Sequence, residues 1–259
     1  RLPGSDTTYP GGISFTHDQG NHNNFSPAGY SSYEISGIDR RCFSYMTHEQ
    51  LVNWICCTGV YISQSKDSAF LTRHLKVVKD VYQSMLNRDH PDPAQRTGVM
   101  GCESSRCNGG GEITTYDSLD TSLGQARNNL YLAVKSWAGY LALAELFKQA
   151  GESTLSEQAT ASAKLCAATV ISKWDNALGY IPAVFEDDNQ SAIIPAIEGL
   201  VFPKMMGLDD ALSFEGEFGE FITTLKRHFV SIFKPGMCLY ADKGWKLSST
   251  ADNSWMSKI

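Results

Sequence analysis

The sequence predicts an all-α fold, a toroid of helical hairpins, on three observations. Long stretches carry apolar residues at helical spacing, and no ladder of alternating strands is visible. Nearly all-apolar helices alternate with amphipathic ones, which reads as an inner and an outer layer. The connections are long, polar and aromatic-rich where ordinary bundles use short ones, which points to one functional face.

Residues 1–46, rich in Gly, Ser, Asn, Pro and aromatics, read as a long loop region. "THEQ" then offers a capping box, Thr47 with Gln50, opening "LVNWICCTGVYISQ". A second helix, "SAFLTRHLKVVKDVYQSMLNR", presents Phe70, Leu71, Leu75, Val78, Tyr82 and Met85 on one face, and His90-Pro91-Asp92-Pro93 stops it. Residues 91–116 form another loop with glycines and cysteines. The central helix is expected from about Leu119 to Gln149, apolar nearly all round. "STLSEQATASAKLCAATVISKW" follows as an outer helix, with Thr154 and Glu157 as a second capping box. The segment "GYIPAVFEDDNQSAIIPAIEGLVFPKMMG" reads as a loop into a shorter buried helix, "EFGEFITTLKRHFVSIFK" as an amphipathic helix, and "GMCLYADKGWKLSSTADNSW" as a loop.

At 259 residues, 42% hydrophobic and 19% charged, the chain has the composition of a soluble globular protein. A net charge of −6 with interspersed signs argues against a nucleic-acid partner and a polybasic membrane patch. No apolar run reaches the roughly eighteen residues that span a bilayer. Seven cysteines are an odd count, and Cys42, Cys56, Cys57 and Cys166 lie in or beside apolar stretches as expected buried free thiols. Reduced thiols and the lack of a visible targeting signal favour the cytoplasm, although the compartment stays open. Cys102 and Cys107 in "CESSRC" match no standard zinc spacing and read as loop residues. Arg1 at the start and "NSWMSKI" at the end lead to the expectation that residues 1–259 are a single domain cut from a longer protein.

The chemistry-bearing residues fall into a few sets. In "GGGEITTYDSLD", Asp117 and Asp120 stand before the central helix, where capping is the plain explanation of either. Asp117 follows an extended "ITTY" and better suits an acid facing a pocket, whereas Asp120 better suits the helix start. "SFTHDQGNHNN" supplies His17, Asp18 and His22; the loop setting speaks against a metal site and for hydrogen bonds to a polyhydroxylated ligand or within the loop. Trp54, Trp137 and Trp174 read as core, while Trp245 and Trp255 on a polar segment offer flat faces to a sugar ring. Arg127, Asn128 and Asn129 are expected about three turns into the central helix as a polar network or an interhelical contact. Glu198 in "IIPAIEGLVFP" is an anomalous carboxylate that, if buried, needs a partner or a role. Nucleophile-elbow, phosphate-loop and dinucleotide fingerprints are absent.

Several motifs together, "YPGGISFTHD", "CFSYMTHEQLVNW", "RDHPDP", "EITTYDSLDTSLGQARNNLYLAVKSWAGYLAL", "IIPAIEGLVFP" and "GWKLSST", resemble glycoside hydrolase family 52, the β-xylosidases. The resemblance covers nearly the whole chain and implies part of a C-terminal (α/α)6 barrel, with an upstream β-sandwich domain missing. It implies a retaining exo-β-1,4-xylosidase that releases xylose from xylo-oligosaccharides, with no cofactor and no metal. Retention uses two carboxyl groups about 5 Å apart. The related family 116 β-glucosidases share a "TYD" motif, which places the acid/base on Asp117, with Thr115 as its hydrogen-bond partner and Tyr116 alongside. They also share a His-Asp pair for sugar hydroxyls, matching His17 and Asp18; Arg127, Glu198, Trp245 and, more loosely, Trp255 complete the expected substrate contacts. The family's glutamate nucleophile lies in a "GEYRM"-like motif that is not found here, and neither Glu34 nor Glu49 matches it. Little hydrolysis is therefore expected of residues 1–259 alone. A homodimer of the full-length protein is compatible with this reading. The alternatives are a carbohydrate-binding or structural toroid remnant without catalysis, and a β-glucosidase-type specificity.

Overall fold

A computed structural model describes residues 2–3, 13–15, 47–101 and 128–250. Six helices carry it: α1 (Thr47–Ser65), α2 (Ser68–Asp89), α3 (Leu130–Gln149), α4 (Ser153–Ser172), α5 (Val201–Met206) and α6 (Gly219–Ile232). Two short antiparallel strands, β1 (Leu2–Pro3) and β2 (Ile13–Ser14), accompany them. A 3-10 turn, Pro195–Leu200, runs directly into α5. The fold is all-α.

α3 is the axis of the core. Every residue from Leu130 to Leu143 is buried, the outcome expected of a helix that is apolar nearly all round. Trp137 lies against Phe218 and Phe221, with ring centroids 5.4 and 4.8 Å away. Gly139 brings the backbone close to Ile55 and Met85, where a Cβ would lie 3.2 Å from Ile55.

The contacts give each helix a direction. Tyr131 meets Glu49 near the start of α1, and Gly59 meets Ala142 further along, so α1 and α3 run parallel. Gly199 packs on Val134 and Met206 reaches Gly59 beside Ala142, so the Pro195–Met206 rod runs parallel to both. α4 opposes α3, because Ser156 donates to Ala144 O and Cys166 to Ala133 O. α2 and α4 run parallel, through Lys79–Glu152 at 2.7 Å and Tyr82–Ser162 at 3.3 Å. α4 and α6 do likewise, through Lys164–Glu217 and the Arg227 guanidinium over Trp174. The described residues thus form three hairpins, with parallel inner members (α1, α3, the Pro195–Met206 rod) and parallel outer ones (α2, α4, α6).

The connections differ by end. Only residues 66–67 separate α1 from α2, and only 150–152 separate α3 from α4. Each return from an outer to an inner member is long: 90–129 before α3 and 173–194 before the third rod. The two longest connections therefore lie at the end where the inner helices begin, while residues 207–218 join the third rod to α6 at the other end.

Several expectations change. The central helix starts at Leu130, not near Leu119. Asn128 has a left-handed φ of 49° and Asn129 is extended (φ −109°, ψ 150°), so no helix passes through them. Asn129 is the N-cap, its side chain accepting from Leu132 N–H at 2.8 Å. Asn128 and Asn129 consequently precede the helix and do not lie three turns inside it. The Thr154–Glu157 capping box does not form either: α4 starts at Ser153 after Glu152, which makes no side-chain cap bond. Trp174 lies past the end of α4, and Cys57 is exposed, while Cys56, Cys166 and Cys238 are buried free thiols.

Candidate functional site

A polar cluster sits where the three inner members begin. Lys135, one turn beyond the start of α3, is almost wholly buried, with only 3% of its side chain exposed. Its Nζ donates to Tyr131 Oη at 2.8 Å and pairs with Glu198 Oε1 at 3.0 Å. Tyr131 Oη in turn donates to Glu49 Oε1 at 2.9 Å. α1, α3 and the 3-10 turn are thus tied through one ammonium and one phenol. Burial and the two glutamates push the Tyr131 phenol well above its usual range, so it acts as a neutral donor.

Glu198 has a partner, as a carboxylate among apolar neighbours needs, but it is not the buried member of the pair. Its side chain is 45% exposed, and the buried charge of the pair is Lys135. An isolated ammonium in the core would be costly, which explains why Glu198 and Tyr131 both turn toward it. Beside them, His48 Nε2 lies 3.2 Å from Ser136 Oγ, while its buried Nδ1 has no hydrogen-bond partner among the described residues. Burial and the neighbouring Arg88 hold the His48 imidazolium pKa well below its usual value, so the ring is neutral.

The same end gathers the chain leading to the other candidate residues. Asp89, buried at the end of α2, accepts from Thr97 N–H (2.8 Å) and Gly98 N–H (2.6 Å) and so folds the chain after the helix. Its desolvation raises its pKa against the pull of those bonds. Gly98 has φ +79°, and a Cβ there would lie 2.4 Å from Cys166 N, so only glycine fits. Asn128 N–H then donates to Met100 O at 2.9 Å. The chain leaves at Gly101 and returns at Asn128 through one stem beside the α3 cap. Asn128 Nδ2 also bonds Glu186, and Leu130 N–H donates to Ala183 O at 2.8 Å.

Thr115, Tyr116, Asp117, Asp120 and Arg127 lie outside the described residues. So do His17, Asp18, His22 and Trp255, and Cys42, Cys102 and Cys107. The last described residue before His17 is Phe15, whose ring stacks on Trp54 of α1 at 5.1 Å. Trp245 is 57% exposed on a turn in which Tyr240 N–H donates to Gly244 O. The following residues bridge to the segment leading into the 3-10 turn of Glu198, through Ile194 N–H to Leu247 O at 2.8 Å. No hydrogen bond, ion pair or ring contact joins Trp245 to Glu198. Among the described residues no group of three or more His, Cys, Asp or Glu could hold a metal ion, and no helix is long and apolar enough to cross a membrane.

Sequence reasoning singled out Glu198 and passed over Lys135, Tyr131 and His48. The usable signal was a lysine four residues after a tyrosine inside a helix otherwise apolar all round.

Comparison with known proteins points to the glycoside hydrolases. Residues 1–61 match the profile of Glycosyl hydrolase family 52. A protein named beta-xylosidase from Geobacillus stearothermophilus is 55% identical over all 259 residues, which cover 36% of that relative. Another of that name and organism is 46% identical over 171 residues, 66% of this chain and 27% of the relative. The chain belongs to glycosyl hydrolase family 52, and it spans about a third of the length of the curated relatives it matches.

Proposed function

We propose that this chain is part of the catalytic domain of a retaining exo-β-1,4-xylosidase. The observation that carries the reading is the 55% identity, over every residue of the chain, to a protein named beta-xylosidase. The geometry supports it: three antiparallel hairpins with parallel inner members are consistent with half of an (α/α)6 barrel, and the two longest connections lie at one end. In this reading Asp117, supported by Thr115 and Tyr116, protonates the glycosidic oxygen while a glutamate outside residues 1–259 attacks the anomeric carbon. Asp117 then takes a proton from the water that releases xylose. His17, Asp18, Arg127 and Glu198 hold sugar hydroxyls, and Trp245 and Trp255 wall the site.

The test is Asp117→Ala in the full-length protein that carries this chain. Loss of general acid catalysis should slow xylobiose cleavage by about 10²- to 10⁴-fold. Dinitrophenyl β-xyloside, whose leaving group needs no proton, should lose far less in the glycosylation step. Equal losses on both substrates would assign Asp117 a structural role, and an effect confined to Asp120→Ala would move the acid/base there.

A further inference from the structure

Lys135 poses a question of cost. A methionine or leucine would fill its place in the α3 core without desolvating a charge, and such replacements of buried ion pairs are often neutral or stabilising. The chain instead holds an ammonium there, and its geometry is directional. Lys135 Nζ is fixed on one side by Tyr131 Oη at 2.8 Å, and its charge lies 4.7 Å from the centre of the Tyr131 ring. On the other side it pairs with Glu198, whose Oε1 lies 3.0 Å away. The backbone of Glu198 is equally constrained. Its neighbour Gly199 is pressed onto α3 so closely that a Cβ would lie 2.7 Å from Val134 O. Both ends of the Glu198 side chain are therefore anchored, yet the side chain remains 45% exposed at the end where the two longest connections lie. A carboxylate gripped from behind and open in front is arranged as an oriented hydrogen-bond acceptor.

We propose that Lys135 is a positioning residue for sugar recognition: from within the core it holds Glu198 so that its solvent-facing edge accepts one particular sugar hydroxyl. The inference rests on the glycosidase reading above. It differs from a plain structural ion pair, whose only task would be to fasten the Pro195–Leu200 turn to α3.

The two roles separate in a double-mutant cycle on the full-length protein, using 4-nitrophenyl β-xyloside and its 2-, 3- and 4-deoxy analogues. Glu198→Gln should lower kcat/KM on the parent xyloside about ten- to a hundredfold, mainly through KM, as expected for a hydrogen bond to a charged acceptor. It should leave one deoxy analogue, the one lacking the recognised hydroxyl, almost unaffected. Lys135→Met should reproduce that selectivity pattern, and the double variant should be no worse than Glu198→Gln alone. Should Lys135→Met fail to fold, Tyr131→Phe, which removes the phenol oxygen but keeps the ring, should give a smaller loss with the same pattern. Losses that are equal on every analogue, or that multiply in the double variant, would make the pair structural and overturn the proposal. An active protein indifferent to Glu198→Gln would overturn it while leaving the glycosidase reading intact. A wild-type protein inert on every aryl β-xyloside would remove both.

Discussion

His228 of α6 is clamped between two backbone groups, and protonation should break the clamp. Ile181 N–H donates to its Nδ1 at 3.2 Å, and its Nε2 lies 3.0 Å from Ile193 O. Nδ1 must therefore be bare and Nε2 must carry the single proton. A second proton would set N–H against N–H inside a fully buried site. Burial lowers the pKa from near 6.5 to about 4, partly offset by the Ile193 carbonyl. The folded protein thus binds this proton more weakly than the unfolded chain does. Its stability contribution is complete above about pH 6.5 and declines as pH falls toward about 4. Between about pH 7 and pH 5 the loss is about 2 kcal/mol, and about 3 kcal/mol over the whole window. The assay is urea unfolding by tryptophan fluorescence across that range, on the full-length protein and on His228→Gln. His48, also buried and neutral, is present in both proteins, so the difference in slope isolates His228. Equal pH slopes in the two proteins would refute the reasoning.

Two further substitutions test the frame around the site. Asn129→Ala removes the cap of α3 and should cost about 1 kcal/mol, read as a lowered urea midpoint; no change would argue against a helix start at Leu130. Gly98→Ala places a Cβ against Cys166 in a left-handed conformation and should cost more than about 2 kcal/mol, read as a fall in Tm, whereas an unchanged Tm would mean that the turn is free to relax.

The helical layers were legible because burial writes itself into periodicity. The apolar face of α2, from Phe70 to Met85, appears as expected, and so does its stop at His90. The start of α3 was not legible. "DTSLGQARNN" has no strong breaker, and what ends the helix is Asn128 in a left-handed conformation with Asn129 as the cap, a choice made by hydrogen bonds to Met100, Ala183 and Glu186. The Thr154–Glu157 pattern fit a capping box, but the chain turns at Gly151 and begins α4 two residues earlier than that box requires. Glu198 stood out by its apolar neighbours, yet sequence cannot say which member of an ion pair is the buried one. That depends on α3 presenting Lys135 to a turn sixty residues later in the chain.

The stem at Met100 and Asn128 has a mechanical consequence for the two layers. Asn128 N–H fastens the chain entering α3 to the chain leaving α2, and Asp89 grips that same chain through Thr97 and Gly98. The end of α2 and the cap of α3 are therefore one joint, and a substitution that loosens the turn at Gly98 is felt at the start of α3.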